Sequence, residues 1–176
     1  MVEINQWMRR TQIMKKTLET MVVAMLSFFI VSFAFADNAA TREIGRDGRF
    51  IAYDDGTVLD TSTNLMWAAK DNGSNINWQG AKSYCESYRG GGYTDWRMPT
   101  QHELLGLFNA SKSQKVECGL SAYIATDLIY LTCCWVWGSE TRGSDAYGFD
   151  FGKGPRSLMP QSKDYINRAL PVRSGK

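Results

Sequence analysis

The sequence predicts an α+β domain in which two helices follow the first strands and further strands come near the C-terminal end. Three observations support this class. An Asp-Gly turn separates two apolar runs near residue 55, Thr100 and Glu103 have the spacing of a helix cap, and apolar residues alternate with other residues over 135–137 and 147–151. These patterns are typical of a β-hairpin, a helix start and half-buried strands, respectively.

The first 36 residues are predicted to be a secretory signal peptide. Basic residues precede an apolar run over 21–36, which ends in Ala34-Phe35-Ala36. A basic region, an apolar region and a small-x-small site are the three parts of such a peptide. The run has 16 residues, whereas a membrane span needs roughly 20. No cysteine lies near the cleavage site. We therefore expect no permanent membrane anchor, a mature chain that begins at Asp37, and a periplasmic or secreted protein. The start codon is left open among three methionines: Met1, Met8 and Met14.

Removal of this leader makes the chain formally neutral. The leader holds four of the 20 Lys and Arg residues and two of the 18 Asp and Glu residues, which leaves 16 of each sign. A neutral chain with no basic stripe argues against nucleic-acid binding. The remaining length is enough for one domain with an ordinary core.

Four cysteines follow the leader, and an even number in an oxidising compartment predicts disulfides. A bridge between the adjacent Cys133 and Cys134 would be a strained ring, so we discount it. Both remaining connectivities tie the segment 118–134 to its surroundings, and we favour Cys118–Cys133 with Cys85–Cys134. A four-cysteine zinc site is the alternative, but the spacing does not match one. We expect no metal and no cofactor.

The folded domain is predicted over residues 49–175, after a polar, loose lead-in over 37–48. Its first elements are a hairpin of 50–53 and 57–60 around an Asp-Asp-Gly turn. A strand over 65–68 follows a second turn.

Two helices come next. The first is predicted over 78–88, with Asn77 as its N-cap and its apolar residues at helical spacing, and three consecutive glycines end it. The second is predicted over 101–108. A proline before it disfavours an earlier start, and Thr100 with Glu103 forms a capping box.

Residues 109–134 are predicted to be a long irregular region, and loops of this length are usually functional or disordered. Three strands should follow, over 135–137, 147–151 and 169–173. The last of them contains a proline, so it should lie at a sheet edge or a strand end.

Two polar features of the sequence are candidates for a chemical site. The oxygen-rich segment 71–75 has ligands that suit calcium but lacks the spacing and distal glutamate of an EF-hand loop, so a turn before a helix is the better interpretation. His102 is the only histidine and should be exposed in the first turn of the second helix. Without a paired nucleophile it does not predict a catalytic triad.

The tryptophans divide into two groups. Trp67, Trp78 and Trp96 lie within the strongest structural patterns and are predicted to pack in the core. Trp135 and Trp137 share one strand face, and charged residues follow them closely.

An aromatic face beside charged groups suits the mixed apolar and hydroxyl surface of a sugar ring. The alternative buries both tryptophans and leaves the charges solvated, and we favour it because large aromatics are usually buried. The candidate ligand residues are Trp135, Trp137, Glu140, Arg142 and Asp145.

Several short motifs occur in order over about residues 49–175. They are Asp55-Gly56-Thr57-Val58, Leu65-Met66-Trp67, Trp78-x-x-Ala81 with Tyr84-Cys85, Gly91-Gly92-Tyr93-Thr94-Asp95-Trp96-Arg97-Met98-Pro99-Thr100 with Glu103-Leu104, Trp137-x-Ser139-Glu140-Thr141, and Arg168-Ala169-Leu170-Pro171-Val172-Arg173. Together they resemble the Lcl C-terminal domain family, named for the C-terminal domain of a bacterial collagen-like adhesin.

The resemblance implies a C-type-lectin-like fold, in which both chain ends meet in one sheet and a long loop region carries binding. Two helices should pack on a small, mostly antiparallel sheet. The implied function is an exported, non-catalytic binding module whose ligand is a glycan or another surface polymer. The chain has neither a collagen-like Gly-x-y repeat nor the Glu-Pro-Asn, Gln-Pro-Asp or Trp-Asn-Asp triplets of calcium-dependent lectins. The oligomeric state therefore stays open, and a calcium–sugar mechanism is not expected.

Two other functions stay open. One is a structural or assembly component of an envelope complex, with a protein partner. The other is a thiol-dependent oxidase of the formylglycine-generating type. The adjacent Cys133 and Cys134 are the feature that favours it, and the other motifs of those enzymes are absent. An enzyme is the less favoured interpretation.

Overall fold

The computed structural model describes residues 41–154 and 156–175. The predicted signal peptide lies outside the described residues and stays a prediction. Within the described part, no helix has both the length and the apolar character that a membrane span needs.

The described residues form an α+β fold, as predicted. In chain order its elements are β1 (Glu43–Asp47), β2 (Phe50–Tyr53), β3 (Thr57–Asp60), β4 (Leu65–Ala68), α1 (Trp78–Ser87), a 3₁₀ turn (Gly90–Gly92), α2 (Gln101–Leu107), β5 (Gln114–Lys115), β6 (Ser121–Ala122), β7 (Trp135–Arg142), β8 (Asp145–Asp150), β9 (Arg156–Pro160), β10 (Asn167–Arg168) and β11 (Val172–Ser174).

Strands from both ends of the described chain form one antiparallel sheet in the order β1-β2-β3-β4-β11. Ala52, Val58, Trp67 and Val172 stand opposite one another across three of its four strand pairings and belong to the main core cluster. Because side chains alternate along a strand, the residues between them point to the other face. The proline prediction is confirmed, since Pro171 directly precedes the edge strand β11.

Strand β1 corrects one expectation. Residues 37–48 were predicted to be a loose lead-in, yet 43–47 form a strand that pairs with β2. An edge strand needs a backbone partner on one side only, so a polar sequence with no alternation is able to occupy it. Because this segment is polar, its sequence did not predict the strand.

A second sheet has the order β10-β7-β8-β9, in which β10 runs parallel to β7 and the other neighbours are antiparallel. The pairing of β7 with β8 shifts register between Trp137 and Thr141. The region 109–134 is largely irregular, as predicted, and contains only the two-residue strands β5 and β6.

Both helices begin where their local signals predict. The Asn77 side chain accepts a hydrogen bond of 2.8 Å from the Gly80 N–H at the start of α1. At the start of α2 the Thr100 hydroxyl accepts from the Glu103 N–H at 3.2 Å, and the Glu103 carboxylate accepts from the Thr100 N–H at 2.7 Å. The capping box is thus confirmed.

A disulfide joins Cys118 and Cys133, which confirms the first predicted bridge. The second, Cys85–Cys134, is wrong, because both cysteines are free and buried. Cys85 lies on α1 in a small core cluster with Trp137, whereas Cys134 belongs to the main cluster beneath the five-stranded sheet. The two thiols are therefore parts of separate apolar cores.

Candidate functional site

A cleft of about 330 Å³ lies where the 109–134 region meets strands β7 and β8. We call it the loop–sheet cleft. Its lining combines aromatic, apolar and charged side chains: Leu120, Ser121, Tyr123, Trp135, Asp150 and Lys153. The sequence predicted a candidate site in the same part of the chain, but of its five candidate residues only Trp135 lines this cleft.

The two aromatic walls of the cleft come from different elements. Trp135 is the first residue of β7 and stands opposite Asp150 of β8 across the sheet. Tyr123 is held by a 2.7 Å hydrogen bond from its N–H to the Phe151 carbonyl and by an edge-to-face contact with Phe108. Both aromatic residues are half-buried, so each keeps part of its surface toward solvent.

Asp150 supplies a fixed carboxylate at this cleft. It is 4% exposed. Its Oδ1 accepts a hydrogen bond of 2.8 Å from the Gly152 N–H, and its carbonyl accepts from the N–H groups of Lys153 and Gly154. Carboxylate oxygens accept several hydrogen bonds, and the Lys153 ammonium group is a donor. The cleft therefore offers both kinds of polar partner beside its aromatic walls.

Cys134 also lies in the wall of this cleft. Burial, and then the charge of Asp150, raise the pKa of its thiol to about 11. A thiolate is the reactive form of cysteine, and Cys133 is already bound to Cys118. The adjacent cysteines are thus not a dithiol pair, and this arrangement does not favour the oxidase interpretation.

A buried polar network holds the segment that leads into Trp135. The Asp71 carboxylate, which is 4% exposed, accepts from the Thr132 N–H at 2.7 Å and from the Thr132 hydroxyl at 2.9 Å. The same hydroxyl accepts a 2.6 Å hydrogen bond from Nε of Arg168. Burial raises the pKa of Asp71, although the hydrogen bonds from Thr132 and Gly73 and the charge of Arg168 oppose that rise.

The oxygen-rich segment 71–75 contributes two hydrogen-bond acceptors, Asp71 and Asn75, to this network, and it forms the predicted turn. Asp71 Oδ1 accepts from the Gly73 N–H at 2.8 Å, which is an Asx-turn. Asn75 accepts from Nη1 of Arg168 at 2.6 Å. Over residues 41–154 and 156–175, no group of three or more His, Cys, Asp or Glu side chains is placed to hold a metal ion.

Of the two candidate tryptophans, only Trp135 lines the cleft. Trp137 is 0% exposed, packs with Ala81 and Cys85 of α1, and donates its indole N–H to the Ile76 carbonyl at 2.9 Å. The core alternative holds for Trp137. Among the predicted core tryptophans, Trp67 and Trp96 are buried, and Trp78 is half-buried.

The candidate charged residues lie elsewhere along β7 and β8. Both carboxylate oxygens of Glu140 accept from the Gln101 N–H, at 2.9 and 3.0 Å. This contact satisfies a free donor at the first turn of α2, so Glu140 acts as a second cap for that helix. Arg142 is exposed and Asp145 is half-buried at the β7–β8 hairpin, and neither lines the loop–sheet cleft.

His102 is exposed on α2, as predicted. With Leu105 and Phe149 it lines a separate cleft of about 330 Å³. No nucleophile is among the lining residues of that cleft.

Sequence reasoning missed Tyr123, Asp150 and Lys153. One signal was available for Asp150, an acidic residue between Phe149 and Phe151 in a strand pattern. Its position opposite Trp135 depends on the register of β7 with β8. That register shifts between Trp137 and Thr141, and no local sequence pattern predicts the shift.

Comparisons with known proteins agree with the motifs. A family model described as the Lcl C-terminal domain matches residues 56–173. A comparison with curated proteins finds no match.

Proposed function

Because this chain belongs to the Lcl C-terminal domain family, we propose that it is an exported, non-catalytic, adhesin-like binding module with a C-type-lectin-like fold. Its ligand is a glycan or another surface polymer. The loop–sheet cleft is the binding site.

Two features of the topology support a C-type-lectin-like fold. The early strands β1 to β4 and the final strand β11 share one sheet, so both ends of the domain meet there. A long, largely irregular region follows the two helices, and the Cys118–Cys133 disulfide closes part of it. This region supplies one wall of the cleft.

A glycan ligand is supported above all by one observation, which is that Trp135, Tyr123 and Asp150 line the same cleft. Half-buried aromatic faces pack against the C–H surface of a sugar ring. A carboxylate fixed beside them accepts hydrogen bonds from ring hydroxyls, and Lys153 adds a donor. The equal numbers of basic and acidic residues after the leader favour a neutral sugar over a highly charged one.

A glycan array with four proteins tests this proposal. Wild type should bind, and Trp135→Ala and Tyr123→Ala should each weaken binding by about tenfold, as expected for the loss of one aromatic anchor. Arg142→Ala is the matched control, because Arg142 is exposed on β7 but outside the cleft. It should bind like wild type.

All variants must remain folded at the assay temperature for the comparison to count. Equal loss of binding in Arg142→Ala would move the site to the β7–β8 hairpin. Absence of any glycan signal, together with a protein partner in pull-downs, would favour an assembly component instead.

A further inference from the structure

The outer face of the five-stranded sheet carries apolar side chains where solvent-facing polar residues are usual. Leu59 stands opposite Met66 across β3 and β4, and Met66 stands opposite Arg173 across β4 and β11. Opposed residues of antiparallel strands share one face. This row lies on the face opposite to the core row, and Leu59 and Met66 belong to neither core cluster.

A cleft of about 530 Å³ opens over this row. We call it the sheet cleft. It is larger than the loop–sheet cleft and shares no lining residue with it. Its lining includes Thr41, Tyr53, Leu59, Asn64, Met66 and Tyr93.

Arg173 provides an unusual donor beside this cleft. It is 6% exposed, its Nε and Nη2 donate to the Asp95 carboxylate at 2.6 and 3.1 Å, and its guanidinium carbon lies 3.8 Å from the centre of the Tyr93 ring. The remaining nitrogen, Nη1, donates to the thioether sulfur of Met66 at 3.7 Å.

A thioether is a weak hydrogen-bond acceptor, whereas an oxygen atom is a strong one for a charged donor. Both Met66 and Tyr93, which contact the guanidinium group, line the sheet cleft. A ligand oxygen in the cleft would therefore give Nη1 a better partner, and the flexible Met66 side chain is able to yield space for it.

We infer that the sheet cleft binds the N-acetyl group of an amino sugar, with the acetyl carbonyl oxygen accepting from Nη1 of Arg173. Asp95 already balances the charge of Arg173, so a neutral carbonyl suits this donor better than a carboxylate does. The acetyl methyl group packs on Leu59 and Met66.

Three further lining residues complete this recognition. Tyr53 and Tyr93 are half-buried and present ring surface to the C–H groups of the sugar. The side-chain carbonyl of Asn64 at the rim accepts from the amide N–H of the acetamido group. The inference takes its ligand class, a glycan, from the proposed function, but it assigns a separate site.

The test compares two trisaccharides with the same β1,4-linked glucose backbone. One carries an acetamido group at C2 of each ring (chitotriose) and the other carries hydroxyl groups there (cellotriose). Saturation-transfer NMR should show the acetyl methyl protons of chitotriose receiving the strongest transfer from the wild-type protein, and cellotriose should not bind to this cleft.

Two variants locate the site. Tyr53→Ala removes one ring, and Asn64→Gly removes the rim amide at a residue whose φ of 52° glycine adopts without strain. Each should weaken chitotriose binding by about three- to tenfold, the value of one hydrogen bond or ring contact. Arg142→Ala, at an exposed residue that lines neither cleft, should leave chitotriose binding unchanged.

The outcomes separate the two proposals. Cellotriose binding at this cleft as well as chitotriose, no transfer to the acetyl methyl group, or full binding by a folded Asn64→Gly variant would each overturn the inference. Binding of a glycan that depends on Trp135 alone would overturn it while leaving the proposed function in place. Binding of chitotriose that depends on Tyr53 and Asn64 but not on Trp135 would support the inference even if the loop–sheet cleft binds no glycan.

Discussion

Replacing Asp71 with alanine should lower the free energy of unfolding by about 3 kcal/mol, the sum of two hydrogen bonds to a buried carboxylate at about 1.5 kcal/mol each. Those two bonds come from the N–H and the hydroxyl of Thr132, at 2.7 and 2.9 Å. The third bond, from Gly73, lies in a partly exposed turn and adds less. The cost of burying the carboxylate, which raises the pKa of Asp71, offsets part of this loss.

The structure also predicts which variants depend on each other. Thr132→Val keeps the shape of residue 132 but removes the hydroxyl that donates to Asp71 and accepts from Arg168. Its effect and that of Asp71→Ala should therefore be non-additive by about 1 kcal/mol or more, as for residues within one buried network. Asp71→Asn, which retains one acceptor oxygen, should cost less than Asp71→Ala.

Urea unfolding at neutral pH, followed by tryptophan fluorescence, measures these differences, with Arg142→Ala as a surface control. A loss below about 1 kcal/mol for Asp71→Ala, the upper end of the usual range for an exposed ion pair, would refute the reasoning. Strict additivity with Thr132→Val would refute it as well, since it would mean that the two side chains do not act through one network.

Three further predictions concern the cysteines, Glu103 and the N-terminal leader. Peptide mapping without reduction should find Cys118 joined to Cys133, and the thiols of Cys85 and Cys134 should react only after unfolding, because burial raises their pKa values to about 12 and about 11; fast labelling of the native protein would contradict this. Burial raises the pKa of Glu103, but hydrogen bonds from Arg97 and Thr100 lower it by a larger amount. The pKa of Glu103 therefore lies below its ordinary value of 4.5. Wild type should therefore be more stable than Glu103→Gln above pH 4.5, and this difference in stability should be lost as the pH falls through the lowered pKa of Glu103. A difference in melting temperature that stays the same between pH 7 and pH 3 would contradict the contact. Mass spectrometry of the exported protein should place its first residue at Asp37, and a chain that keeps residues 21–36 would contradict export with cleavage.

The agreement between sequence and structure is best where the interacting residues are close in the chain. The Asn77 cap, the Thr100–Glu103 capping box and the Asp-Gly hairpin are each complete within a few residues. Steric restrictions and short-range hydrogen bonds act before any tertiary contact forms, so these features are readable from the sequence alone.

Other assignments depended on which distant residues meet. Glu140 has a charge that suits a ligand site, but its partner is the Gln101 N–H, 39 positions away in the chain. Cys85 was as eligible as Cys133 for a disulfide by count, and only the division into two core clusters separates it from Cys134. Arg173 lies opposite Met66, a lining residue of the sheet cleft, because β11 returns to pair with β4.

The α+β class, the starts of both helices and the family were predictable from the sequence alone, whereas the cysteine pattern left two connectivities open, one of which contains the Cys118–Cys133 bridge. The tertiary structure decided which tryptophan is accessible and which acidic residue stands beside it. Trp135 and Trp137 are equivalent in the strand pattern, but α1 covers Trp137 and the 109–134 region leaves Trp135 at a cleft. Burial is a property of what packs against a side chain, and that partner comes from another part of the chain.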